Sequence, residues 1–141
     1  LALEIGIETR VSVAPGVRDL RLKLTEPAIR LVITELLTNA HKFHPAQTPR
    51  VEVQAQGNAH GRVSIRVVDD GLGLPPEELP QIWRPYFQGE KALTGQVAGM
   101  GLGLTAVKGF VLSAGGQVRA SNCAANHGLC IELDLPVCAA C

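Results

Sequence analysis

The sequence predicts a two-layer α/β sandwich, an α+β fold in which helices cover one face of a mixed β-sheet. Several short segments alternate apolar and polar residues, as half-buried strands do, and two longer segments repeat apolar residues at helical spacing. Their order is strand, helix, two strands, a glycine-containing stretch, helix and two strands. A chain of 141 residues is long enough for one domain with a hydrophobic core. We assign residues 1–137 to that domain and residues 138–141 to a short tail.

Two segments precede the first long helix. Residues 3–13 alternate loosely and predict an extended segment, and Pro15-Gly16 signals a turn. Residues 20–24 read Leu-Arg-Leu-Lys-Leu, and this strict period of two predicts a half-buried strand.

The first long helix carries signals at both ends. Thr25 is the predicted N-cap, and Pro27 falls in the first turn. Apolar residues then recur at helical spacing as far as Phe43. His44-Pro45 ends the helix, because the residue before a proline avoids the helical conformation.

The remaining elements are two strand pairs, a loop region and a second helix. Residues 51–56 and 63–68 predict a hairpin connected through residues 57–61. The later predictions are a loop over 70–80, a short helix within 79–87, a mobile flap over 88–100, a helix over 102–114 that Gly115-Gly116 stops, and strands over 117–122 and 129–135.

Composition and charge exclude several classes of protein. Apolar residues make up 46% of the chain and charged residues 18%, which fits a folded domain and not a disordered one. The 13 basic and 13 acidic residues cancel, which argues against a nucleic acid partner. No signal peptide is visible, and no apolar run approaches the roughly 18 residues of a membrane span. We expect a cytoplasmic domain without direct membrane contact and, because it begins at Leu1, a piece of a longer protein.

The first helix carries three polar residues on one face. Glu35, Asn39 and Lys42 are spaced four and three apart, which aligns them along the helix. An amide oxygen suits Mg²⁺, and an ammonium group suits phosphate oxygens. Glu35 is the candidate catalytic residue, because a carboxylate can orient a metal-bound water or take a proton. The alternative is a polar stripe that simply faces solvent.

An acid and two glycines follow a predicted strand. Asp69 ends the apolar run of residues 63–68, where an acid is unfavourable unless it meets a donor. The exocyclic amine of adenine is such a donor, and Gly71 and Gly73 would let the backbone approach a flat base closely. The alternative is an acid that caps a turn through its own backbone amides.

Three alternating glycines open the second long helix. Gly99, Gly101 and Gly103 would expose backbone N–H groups at the positive end of that helix, where phosphate binds readily. The alternative is a flexible hinge. The pattern differs from a dinucleotide-binding fingerprint, because no strand immediately precedes it.

Four cysteines lie late in the chain. Cys138 and Cys141 form a C-x-x-C motif, which can bind zinc or change redox state. Cys123 and Cys130 would then complete a four-thiolate site. The alternative is four free thiols without a role.

Taken in this order, the three polar segments resemble the ATP-binding catalytic domain of bacterial sensor histidine kinases, in the superfamily shared with DNA gyrase, Hsp90 and MutL. The resemblance spans residues 17–137. Residues 35–43 resemble the family's N box, 69–73 its G1 box, 82–88 its F box and 99–104 its G2 box.

The resemblance implies a Bergerat-type fold that binds ATP under a flexible lid. Asn39 would hold Mg²⁺, and Asp69 would accept the adenine amine. The other implied nucleotide contacts are Lys42, Phe43, Gly71, Gly73, Tyr86, Lys91, Gly99, Gly101, Leu102, Gly103 and Leu104. The chain departs from the family pattern at four positions, namely Trp83, Tyr86, Met100 and Leu129.

The resemblance also implies a phosphate acceptor outside this chain. The family's acceptor is a histidine in a short motif, typically followed by an acid, on a separate helical dimerisation domain. None of the four histidines here precedes Asp or Glu. The implied partners are therefore an upstream histidine-containing dimerisation domain and a response regulator, and the isolated domain is expected to be a monomer.

Three other functions remain open from the sequence. An anti-sigma-type Ser/Thr kinase shares these boxes, although the aromatic residues 83–87 favour the histidine kinase. A nucleotide-binding regulatory module without transfer activity is the alternative from another class. A gyrase- or Hsp90-like ATPase is the least favoured, because such proteins need further domains and a different lid.

Overall fold

The computed structural model describes residues 7–58, 60–84, 103–123 and 128–138. Its strands are β1 (Glu8–Val13), β2 (Arg50–Gly57), β3 (Arg62–Asp69), β4 (Gln117–Asn122) and β5 (Leu129–Pro136), and its helices are α1 (Glu26–Phe43) and α2 (Gly103–Ser113). Short 3-10 turns cover Pro15–Val17 and Leu79–Trp83. The flap predicted over residues 88–100 lies outside the described residues.

The five strands form one mixed sheet in the order β1-β2-β3-β5-β4. β1 runs parallel to β2, and every other neighbouring pair is antiparallel. The last strand in the chain is therefore inserted between β3 and β4. This insertion brings the start of β5 beside the end of β3, where Asp69 lies.

The hydrophobic core lies between α1, α2 and one face of the sheet. Strands β2 to β5 present alternate residues to the core. Their other residues form a polar face on which Arg66 Nε lies 3.7 Å from Glu132 Oε2. The core residues of α1, β3, α2 and β5 include Val32, Leu36, Leu37, Val63, Val67, Val107, Val111, Ile131, Leu133 and Leu135. The predicted two-layer α/β sandwich is confirmed.

The predicted ends of α1 are confirmed by its caps. The Thr25 side chain accepts a hydrogen bond of 3.3 Å from Ala28 N, and Pro27 lies in the first turn. At the other end, His44 is extended and donates its backbone N–H to His41 O. The chain therefore leaves the helix just before Pro45, which places the polar face of α1 at a fixed position beside the sheet.

The strand predicted over residues 20–24 is wrong. Leu22 makes one isolated antiparallel bridge to Val137, and the segment forms no ladder. Residues 20–24 would have to pair with an edge of β5, and both edges are already taken. β3 pairs with one edge as far as Pro136, and β4 pairs with the other as far as Asp134. Only the last residues of β5 and those beyond it are left for this segment.

The other predicted elements lie close to their expected positions. The helix predicted over 102–114 is α2, and Gly115, with φ of +85°, follows its end. The short helix predicted within 79–87 is the 3-10 turn Leu79–Trp83. Its Ile82 and Trp83 are buried in the core.

Candidate functional site

The carboxylate of Asp69 lies where β3, β5 and the following loop meet. Its Oδ1 accepts hydrogen bonds from Gly71 N at 2.9 Å and from Leu129 N at 3.1 Å. Backbone N–H groups from two separate segments thus hold the carboxylate through this one oxygen.

Burial makes the Asp69 charge unfavourable. The pKa of this carboxyl is raised, chiefly because burial disfavours the ionised form. The two backbone hydrogen bonds and His44 oppose that rise, whereas the neighbouring Asp70 adds to it. A donor that reached Oδ2 would offset part of the lost hydration.

Glycine is required beside Asp69 on both sides. A Cβ at Gly128 would collide with the Asp69 carbonyl, and a Cβ at Gly71 would lie 3.1 Å from Asp69 Oδ1. Gly73 has φ of +70°, a left-handed conformation that glycine adopts readily. Gly71 and Gly128 therefore let the backbone approach Asp69 closely from two separate segments.

The polar face of α1 meets the start of α2. A Cβ at Gly103 would collide with the Glu35 carboxylate and would lie 3.9 Å from Asn39 Nδ2. Asn39 Nδ2 is buried and makes no hydrogen bond. A buried amide without a hydrogen-bond partner is unfavourable. The Asn39 amide and the Glu35 carboxylate both lie near Gly103, which is the first described residue of the glycine motif.

The amide of Asn39 fits a metal or phosphate ligand better than a structural role. Its Nδ2 has no hydrogen-bond partner, and its amide oxygen is a hard ligand of the kind that Mg²⁺ prefers. Within the described residues, no three His, Cys, Asp or Glu side chains are grouped so as to hold a metal. A Mg²⁺ site here would therefore need oxygen ligands supplied by the nucleotide.

The predicted site residues that the structure describes lie on α1, at the end of β3 and the loop after it, and at the start of α2. Glu35, Asn39, Lys42 and Phe43 all lie on α1, and the last two form its end beside Gly71. Gly103 and Leu104 begin α2, and Leu104 packs against the core. The predicted contacts Tyr86, Lys91, Gly99, Gly101 and Leu102 lie outside the described residues.

Two contacts between distant segments were not predicted from the sequence. Asn122 Oδ1 accepts from Leu74 N at 2.9 Å, and its Nδ2 donates to Leu74 O at 2.7 Å. Thr105 Oγ1 donates to Trp83 O at 3.1 Å. These bonds join residues 48 and 22 positions apart, so no local pattern could have found them.

Three of the four cysteines that could have formed a thiolate site lie among the described residues. Cys138 is disulfide-bonded, whereas Cys123 and Cys130 carry free thiols. Burial and the nearby Cys130 raise the pKa of the Cys123 thiol. Arg66 donates to Cys130 Sγ at 3.3 Å on the polar face of the sheet.

Comparisons of the sequence with known proteins agree on one family. The sequence model of a family described as histidine kinase-, DNA gyrase B- and HSP90-like ATPase matches residues 25–139. The autoinducer 2 sensor kinase/phosphatase LuxQ of Vibrio cholerae is 32% identical over 136 residues, which are 96% of this chain and 15% of that protein. The histidine protein kinase DivJ of Caulobacter vibrioides is 35% identical over 132 residues, or 94% of this chain and 21% of that protein. This chain thus spans a small part of these relatives.

Solved structures share the fold. The mycobacterial sensor histidine kinase MprB superposes with a TM-score of 0.79 at 27% identity, covering 96% of this chain and 88% of that chain. The catalytic domain of the histidine kinase ThkA gives 0.74 at 20% identity, covering 96% and 82%, and supports the fold alone. None of the described helices has the length and apolar character needed to cross a membrane.

Proposed function

The chain belongs to the family of histidine kinase-, DNA gyrase B- and HSP90-like ATPases, as an ATP-binding catalytic domain of the sensor histidine kinase type, and from this premise we propose that it transfers the γ-phosphate of Mg-ATP to a histidine on a separate dimerisation domain. Relatives that are named sensor kinases support this over the anti-sigma-type Ser/Thr kinase. Because ATP is a cytoplasmic substrate, we place the domain, proposed to span residues 1–137, on that side of any membrane.

The observation that carries the proposal is the state of the Asp69 carboxylate. Its Oδ1 is held by two backbone N–H groups, and burial raises the pKa of the carboxyl because the ionised form has lost hydration. The exocyclic amine of adenine would donate to Oδ2. Guanine carries a carbonyl oxygen in place of that amine, and an oxygen facing a carboxylate is repelled. The site should therefore select ATP over GTP.

The polar face of α1 would hold the phosphate end of the nucleotide. Asn39 would ligate Mg²⁺ through its amide oxygen, and the bound ion would neutralise charge on the phosphates. Glu35 would orient the hydration shell of that ion, and Lys42 would add a positive charge. The collision that a Cβ at Gly103 would cause supports a close approach of backbone N–H groups to the same place.

Catalysis would depend on position and charge more than on covalent chemistry. The acceptor imidazole would attack the γ-phosphorus in line with the departing ADP oxygen, while the residues above hold the nucleotide. No histidine of this chain lies in an acceptor motif, so the acceptor would come from an upstream dimerisation domain. A response regulator would then take the phosphoryl group onto an aspartate.

Calorimetric titration with ATP and GTP, each with and without Mg²⁺, tests the site directly. We expect ATP to bind and GTP to bind at least about tenfold more weakly, because one hydrogen bond to a charged acceptor is exchanged for a repulsion. Asn39→Ala should abolish the effect of Mg²⁺ on ATP affinity. Asn39→Asp is the matched control, since its carboxylate can still bind the ion.

Two results would contradict the proposal. Equal affinity for ATP and GTP would exclude adenine recognition by Asp69. Persistence of the Mg²⁺ effect in Asn39→Ala would remove that residue from the metal site. If ATP binds as expected, adding a histidine-containing dimerisation domain and radiolabelled ATP tests phosphotransfer.

A further inference from the structure

His44 connects the end of α1 to the turn that carries Asp69. The side chain is only 12% exposed, although the residue lies outside the helix. Its Nδ1 accepts hydrogen bonds from Ala46 N at 3.2 Å and Thr48 N at 3.3 Å. Since Nδ1 is an acceptor, the ring proton of the neutral imidazole is on Nε2.

The protonated nitrogen points at Asp70. His44 Nε2 lies 3.1 Å from Asp70 Oδ1, and the same oxygen accepts from Arg50 N at 2.9 Å. The Asp70 carboxylate is therefore held between the end of α1 and the start of β2. Its backbone lies between Asp69 and Gly71, the two residues joined by the 2.9 Å hydrogen bond to Asp69 Oδ1.

Fixing Asp70 fixes the neighbouring peptide units. Residues 70 and 71, which follow β3, contain no regular secondary structure, so side-chain contacts and the end of the sheet determine the direction of this turn. Gly71 also lies close to the last residue of α1, since a Cβ there would be 4.0 Å from Phe43 O. A small rotation of this turn would move Gly71 N, which holds Asp69 Oδ1, relative to the polar face of α1.

We propose that His44 is a positioning residue for the nucleotide site, which acts through Asp70 to hold the adenine-binding turn at a fixed distance from the phosphate-binding face of α1. This rests on the proposed function, because it assigns the adenine and the phosphates to the two ends of that contact. The simpler role of His44, a cap for residues 45–48, would involve Nδ1 alone.

Two substitutions separate the roles of the two ring nitrogens. His44→Asn places an amide oxygen near the position of Nδ1 and keeps the local turn, but it cannot reach Asp70. His44→Gln places an amide N–H near the position of Nε2 and keeps the contact with Asp70. We expect His44→Asn to weaken ATP binding about tenfold, the size of one contact to a charged group, and His44→Gln to stay within about threefold of wild type.

His60→Asn is the control, because His60 lies in the β2–β3 hairpin loop, and it should leave ATP affinity unchanged. Asp70→Ala should weaken ATP binding at least as much as His44→Asn, and the double variant should be no weaker than Asp70→Ala alone. Thermal unfolding of each variant checks that it is folded. A cap role alone would give the opposite order, with His44→Asn like wild type and His44→Gln impaired.

Hydrogen exchange of the Gly71 amide in the nucleotide-free protein tests the positioning without any ligand. This amide should exchange faster in His44→Asn and Asp70→Ala than in wild type or His44→Gln. If the wild-type protein binds no ATP, the proposed function fails. The exchange rate of the Gly71 amide then still tests whether His44 and Asp70 hold this turn in place. Wild-type ATP affinity together with wild-type Gly71 protection in His44→Asn would overturn the inference.

Discussion

At the scale of single residues, the buried charge of Asp69 opposes stability. Its folded-state pKa is raised above the ordinary carboxyl value, so the folded protein holds this proton more tightly than the unfolded chain does. The stability that the protonated form contributes is present below the ordinary pKa and is lost as pH rises through the raised one. At neutral pH the ionised Asp69 is therefore unfavourable for folding.

Asp69→Asn should separate binding from stability. The amide oxygen can keep both backbone hydrogen bonds of Oδ1, whereas the amide nitrogen would replace Oδ2 and meet the adenine amine as donor against donor. We expect ATP affinity to fall at least about tenfold while Tm at pH 7 rises. The Tm difference should shrink as pH falls through the raised pKa, because wild-type Asp69 then becomes neutral as well.

Asp134→Asn is the matched carboxylate control. Asp134 Oδ2 pairs with Arg62 Nε at 3.0 Å toward the opposite end of β5, so this variant should lose stability and keep its ATP affinity. A lowered Tm in Asp69→Asn would contradict the predicted cost of burial. Undiminished ATP affinity in Asp69→Asn would show that a group other than Asp69 binds the adenine amine.

At the scale of elements, the loop after β3 is held by β4 although the two strands are not neighbours. The Asn122 amide accepts from Leu74 N and donates to Leu74 O, which is the pair of bonds that a strand neighbour would make. This clamp fixes the loop that begins with Gly71. Thr105 makes a similar single bond from α2 to Trp83 O.

Asn122→Ala should loosen that loop without unfolding the sheet. Both Leu74 bonds are lost, and the exposed backbone groups then bind water, so we expect a stability loss of about 1 kcal/mol and ATP affinity reduced about threefold or more. Chemical denaturation and calorimetry measure the two effects. Ser121→Ala, the adjacent change on β4, should alter neither quantity by more than experimental error, and an Asn122→Ala protein that matched it would exclude the clamp.

At the scale of the whole molecule, β5 joins both halves of the sheet to both helices. Leu133 is fully buried and pairs with Ile65 of β3 on one side and Val118 of β4 on the other. Its side chain packs in the same core as α1 and α2. Truncation at this position should therefore weaken the entire domain rather than one edge.

Leu133→Ala should lower the free energy of unfolding by about 2 to 5 kcal/mol, because it leaves a cavity at the centre of the core. Leu112→Ala on α2 is the control, since Leu112 is 49% exposed and its truncation should cost about 0.5 kcal/mol or less. Urea unfolding monitored by Trp83 fluorescence measures both. Equal midpoints for the two variants would show that this region of β5 is not central to the core.

The sequence by itself determined the local features of this protein. The ends of α1 were predicted because Thr25 and His44-Pro45 act within one helical turn. The strand positions followed from a period of two, and the order of Asn39, Asp69 and the glycines indicated the class of site. The helix ends and strand positions depend on residues a few positions apart, and the class of site was indicated by short motifs that are each local.

Only the tertiary structure decided which segments meet. Residues 20–24 have the pattern of a strand but form none, because β3 and β4 already pair with the neighbouring strand edges. The insertion of β5 between β3 and β4 brings Leu129 N to Asp69, and the clamp from Asn122 and the contact between His44 and Asp70 likewise join distant segments. Pairing between strands is a competition among the whole set of edges, and that competition is settled only when the complete sheet has formed.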